Sequence, residues 1–118
     1  MLGAEADVAY CIEVAEHMPA DLGERLVAFL GGAAPLVMFT AAHPGQGGQG
    51  HINEQSREYW IDRFEKRGMT YLPDQTDRLQ EALSEHLRHG RWISENAMVF
   101  GRGRRLNGEL ASAAAAPR

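Results

Sequence analysis

Two short apolar runs, DVAYCIEV at 7–14 and PLVMFTAA at 35–42, stand one helix-length apart. Nothing else in the chain constrains the fold as much. Each run is shorter than an ordinary helix and has the apolar, partly β-branched make-up of a buried strand. Between them Pro19 sits where a first helical turn accepts proline, and Leu22, Leu26, Phe29 and Leu30 recur at helical spacing up to Gly31-Gly32. A strand, a helix and a strand in this length predict a right-handed crossover between parallel strands.

Further along, Tyr59, Trp60 and Phe64 make an apolar helix face that Gly68 closes. MTYL at 69–72 predicts a short strand. Thr76 is placed to cap a helix carrying Leu79, Leu83 and Leu87, with Gly90 as its stop. RWISEN predicts another helical turn and AMVFG a last strand. The class is α/β, and 118 residues suit one domain, here 1–102. From about 103 the chain reads GRRLNGELASAAAAPR, with no apolar face to bury, which predicts a frayed tail over 103–118.

The net charge of −4 gives no general attraction to nucleic acid or to an anionic membrane. Arg102, Arg104 and Arg105 are a local exception, read as a solvated tail. No apolar stretch approaches the roughly 20 residues that cross a bilayer. MLGAEAD lacks the basic start and apolar core of a signal peptide. The single cysteine, Cys11, allows no internal disulfide and suits a reducing cytoplasm. Inside an apolar strand it is expected to be inert.

HPGQGGQGHINEQ, residues 43–55, is the chemically suggestive stretch. Gly45, Gly47 and Gly50 fit the spacing G-x-G-x-x-G between a strand and a helix. Asp74 lies past the next strand, roughly where a ribose-binding acid belongs. That pattern suggests a nucleotide-binding oxidoreductase. Against it, residues 51–55 intervene before helical pattern begins, so no helix N-terminus meets the glycines. Pro44 interrupts the turn, and His51 stands where a Walker loop needs Gly-Lys-Ser/Thr. The plainer reading is a flexible loop at a strand's carboxyl end, which is where open α/β sheets bind ligands.

CIEVAEH at 11–17, the loop within PLVMFTAAHPGQGGQGHINEQSREYW and the closing ENAMVF together resemble the C-terminal half of class I S-adenosylmethionine-dependent methyltransferases. More narrowly, they are similar to small bacterial methyltransferase-domain proteins with an AAxPGQGGxGHxNEQ loop. The resemblance covers nearly all of 7–101. It implies a partial Rossmann-like sheet, strands four to seven with flanking helices, lacking the family's first three strands and their Gly-rich cofactor loop. The chain would then be a fragment, or would be completed by another chain.

The implied reaction is methyl transfer from S-adenosylmethionine to a small-molecule acceptor. By the resemblance, Ile12 touches the cofactor and Glu13 lies beside it. His43, Gln46, His51, Asn53 and Glu54 form the opposite wall, over the acceptor. His17 or His51 would be the base, since histidine takes a proton near neutrality. The alternative is that they only orient the glycine loop. Some methyltransferases hold a divalent ion with a similar E-x-x-E-H, which here would draw on Glu13, Glu16, His17 and His51. No metal is expected, because Glu13 and His17 can hydrogen-bond backbone at the turn instead. A non-catalytic remnant or partner-binding module is the reading from a different class. Without its family neighbour, the strand at 7–14 would be an open edge, so self-association through it is expected.

Overall fold

The computed structural model describes residues 6–106 and 109–112, with side chains through residue 103. Strand β1 (Val8–Ile12) leads through a single 3-10 turn (Ala15–His17) into helix α1 (Ala20–Ala33) and strand β2 (Leu36–Thr40). After the glycine loop come α2 (Arg57–Glu65), β3 (Met69–Tyr71), α3 (Pro73–His86), α4 (Arg91–Asn96), β4 (Met98–Leu106) and β5 (Glu109–Ser112).

The sheet is mixed, in the order β1-β2-β4-β3. β1 and β2 are parallel, with Val8 opposite Leu36 and Ile12 opposite Thr40, as the crossover requires. β4 enters antiparallel between β2 and β3. Alternate residues of a strand share a face. Cys11, Val37, Phe39, Met98 and Phe100 lie in one core with Val27 and Leu30 of α1 and Trp60 and Phe64 of α2. Phe64 stacks on Phe100 at 4.1 Å between ring centroids, and Phe39 meets both Phe64 and Trp60 edge-on or tilted. α3 and α4 form a second pair, against β4 and β2. No helix among the described residues is long and apolar enough to cross a membrane.

Two expectations need correction. Thr76 does not cap α3. The helix starts four residues earlier, with Leu72 at its cap and Pro73 in its first turn, where a missing N–H costs nothing. Thr76 is buried, and its Oγ1 accepts from the Val99 amide at 2.9 Å, tying the helix to β4. The tail is not structureless throughout. β4 runs on through Leu106, and β5 returns beside it, with Gly103 opposite Ser112 and Leu106 opposite Glu109. A hairpin needs only paired backbone, not the apolar face whose absence predicted fraying. The rest of the predicted tail, 107–108 and 113–118, lies outside the described residues, as do the side chains of Arg104 and Arg105.

Candidate functional site

The parallel pair ends at one edge of the sheet, and the polar residues of interest gather there. Glu13 follows β1 directly and takes a left-handed conformation, φ 54°, which is uncommon for a residue with a Cβ. Thr40 at the end of β2 holds it there. Thr40 Oγ1 donates to Glu13 Oε2 at 2.7 Å and accepts from the Glu13 amide at 3.0 Å. Gln46 and Asn96 reach the same carboxylate at 3.5 and 3.4 Å, and Asn96 also donates to Gln46 at 2.8 Å. Thr40 and Asn96 give no local sequence signal, because their role depends on three separate segments meeting.

The reversed backbone at Glu13 starts the 3-10 turn, which carries Glu16 and His17. The Glu16 carbonyl accepts from the amides of Ile52 and Asn53 at 2.9 and 3.0 Å, pinning the glycine loop to this turn. The Glu16 side chain is fully buried, and neither carboxylate oxygen has a hydrogen-bond partner. Burial is the largest effect and raises its pKa; its own backbone, next in size, pulls it down, the nearby Glu13 carboxylate raises it again, and the two histidines lower it least.

The loop is organised by Glu54. Its carboxylate accepts from the amides of Gly45 and Gly47 at 3.0 and 2.9 Å, and from His51 Nδ1 at 2.8 Å. The His51 hydrogen bond, helped by those two amides, holds the Glu54 carboxyl below the usual carboxylate range. The same contacts count against the nucleotide fingerprint. The glycine amides that would cradle a phosphate serve the loop's own carboxylate, and α2 begins only at Arg57, capped by Ser56.

In the neutral form of each imidazole the contacts select one tautomer. A carboxylate and a carbonyl can only accept. His51 Nδ1 therefore carries its proton toward Glu54, and His17 Nδ1 carries its own toward the Gly50 carbonyl at 3.1 Å. That second bond is the orienting contact to the glycine loop weighed above. It leaves each Nε2 with a free lone pair. The rings meet edge to face at 4.8 Å between centroids, and His51 Nε2 lies 3.9 Å from Glu16 Oε2.

These groups line a cleft of about 430 Å³, with Glu13, Glu16, His17, Gln46, His51 and Trp92 on its walls. Trp92, half exposed on α4, was read from sequence only as part of a helical turn. Other predicted wall residues lie elsewhere. His43 bonds the Pro44 carbonyl and faces a separate cleft of about 200 Å³ with Arg57 and Trp60. Asn53 is buried and accepts from Gln55 at 2.8 Å. Glu54 supports the cleft from behind. Ile12 is exposed on β1. A wider depression of about 450 Å³ between α3 and α4 gathers no histidine. Cys11 is buried, and burial together with the Glu16 charge pushes its thiol up to about 11, in keeping with an inert cysteine.

No family model, curated protein or solved structure matches this chain. Its class is defined by fold and site alone: an α/β domain with a mixed sheet and a carboxylate–histidine cleft at the carboxyl end of its parallel pair.

Proposed function

We propose that the chain is the acceptor-side half of a class I S-adenosylmethionine-dependent methyltransferase domain. The observation that carries the reading is the sheet order. β1 and β2 are joined through α1, and β4 then enters antiparallel between β2 and β3. The seventh strand of the family sheet enters antiparallel between the fifth and sixth in the same manner. On this reading β1, β2, β3 and β4 correspond to strands four to seven.

The cleft suits the reaction. Methyl transfer from the cofactor's sulfonium to an acceptor requires alignment and a base, with no covalent enzyme intermediate. His51 is oriented by Glu54 and has Nε2 free to take a proton from an acceptor hydroxyl or amine. His17 offers a second such nitrogen. By the resemblance, Ile12 and Glu13 would meet only the reacting end of the cofactor. No strand precedes β1 among the described residues to carry a glycine loop or a ribose-binding acid.

Weak binding at a defined place is therefore expected. Titrating S-adenosylhomocysteine into the ¹⁵N-labelled chain should give millimolar-range amide shifts confined to residues 12–17 and 46–51. Micromolar affinity, shifts elsewhere, or no shifts at all would each defeat the proposal. NADH run in parallel should leave the amides of Gly45 and Gly47 unmoved.

A further inference from the structure

Arg57 and Trp60 stand three apart on α2, so their side chains share one face of the helix. Both line the smaller cleft of about 200 Å³, which also has Ala41 and Met98 on its walls. Trp60 is buried, yet its indole Nε1 has no hydrogen-bond partner. The benzo edge of the ring packs toward α1: a Cβ built on Gly23 would lie 3.5 Å from Cη2 and 3.8 Å from Cζ3. The pyrrole edge, which carries Nε1, is therefore the edge turned from α1. Buried polar groups are normally hydrogen-bonded, so an unpaired indole N–H beside a cleft marks a place that suits an acceptor.

Arg57 adds a fixed positive charge at the same cleft. Its Nη1 donates to the Ala97 carbonyl at 3.0 Å and the Tyr71 hydroxyl at 3.3 Å, and its Nη2 to the Glu95 carbonyl at 2.8 Å. These bonds hold the guanidinium still, but every acceptor is neutral. No carboxylate among the described residues lies within ion-pair distance of it. Glu95, the acid on the cleft wall, has an exposed side chain and makes no such pair. Nε–H and one Nη2 hydrogen of Arg57 stay unbonded. Two such parallel donors are what grips a carboxylate in bidentate fashion.

We propose that this cleft binds the carboxylate of a small organic acid, held by Arg57 and by Trp60 Nε1–H. A short apolar chain on the acid rests against Ala41 and Met98, both buried. The volume admits a chain of a few carbons and is too small for a nucleotide. Nε1 is closed off from water in the free chain, so the ligand reaches it through a small side-chain movement. The inference rests on this geometry and is independent of methyl transfer.

The test uses the ¹⁵N-labelled full chain, whose two tryptophans give two indole N–H signals, assigned with Trp92→Phe. Butyrate is the probe, with butyramide and butylamine as its neutral and cationic controls. Butyrate should shift the Trp60 indole and Arg57 Nε–H signals and saturate with a millimolar dissociation constant, as suits so few atoms. The controls should leave both signals in place. Arg57→Gln should weaken butyrate binding more than tenfold. Arg57→Lys should weaken it nearly as much, since lysine keeps the charge and loses the fork. Trp60→Phe, which removes only one donor, should weaken it severalfold. No saturable shift, an equal response to butyramide, a shift at Trp92 in place of Trp60, or unchanged binding in the Arg57 variants would each overturn the proposal. The wild-type titration decides even where circular dichroism shows a variant unfolded. Arg57 and Trp60 lie outside residues 12–17 and 46–51, so this test and the S-adenosylhomocysteine titration succeed or fail separately.

Discussion

Gly48 lies flat against the imidazole of His51: a Cβ built on Gly48 would sit 2.5 Å from ring atom Cε1 and 2.7 Å from Nε2. The backbone there has φ +153°, so a side chain would be strained as well as crowded. Gly48→Ala is expected to displace the ring from Glu54 and to cost about 1–3 kcal/mol. For a domain of this size, that is a fall in melting temperature of about 4–8 °C per kcal/mol. Thermal melts combined with imidazole ¹⁵N shifts check it. An unmoved His51 signal would show that the close approach has no consequence.

Glu54 ties three loop groups together, and its lowered pKa fixes the pH dependence of that tie. A lowered carboxylate stabilises the fold above the unfolded pKa of about 4.3, and its contribution is lost as pH falls through the folded value. Protection of the Gly45 and Gly47 amides, measured against the intrinsic exchange rate at each pH, should therefore be high at neutral pH and fall once the pH drops below the ordinary carboxylate range. Glu54→Gln should already exchange fast at neutrality.

The opposite sign applies at Glu16, whose pKa is raised, chiefly by burial. The folded state then holds a proton that the unfolded state has released. The stability this gives is complete below about pH 4.3 and is lost as pH rises through the folded value. Glu16→Met, which replaces the unpartnered carboxylate with an apolar chain, should stabilise the protein at neutral pH by about 1–3 kcal/mol. The gain should shrink toward acid pH. A destabilised Glu16→Met protein across the whole range would mean that the carboxylate has a structural partner.

β1 is the edge of the described sheet, and Val8, Tyr10 and Ile12 on one of its faces are exposed, Tyr10 by 72%. An apolar edge strand without proline or lysine is a template for another chain. Self-association is expected in light scattering across a dilution series, and Tyr10→Lys should reduce it. A monomer at high micromolar concentration would remove this expectation.

Much of the fold was legible because local pattern and tertiary environment agree. The crossover 7–42, the α2 face of Trp60 and Phe64, β3 and α4 all follow from apolar spacing and glycine stops. Thr76 was misread because a threonine before a leucine-rich helix looks the same whether its hydroxyl caps that helix or receives the amide of a strand. The β4–β5 pairing was missed because backbone pairing leaves no trace in side-chain pattern.

For the site, the sequence alone determined which chemistries were present and near which strand end: E-x-x-E-H after β1, and glycines, a histidine and a glutamate after β2. What each residue does was decided only by the folded chain. The two segments are far apart in sequence, and their relation depends on parallel pairing of β1 with β2 and on the Glu16 carbonyl capturing the loop. That geometry put Gln46 and His51 into one cleft with Glu16 and His17, turned His43 to another, and buried Asn53. It also made Glu54 the loop's anchor and left a carboxylate without a partner. Hydrogen-bond distances and burial come from the whole packed chain, and spacing along it carries neither.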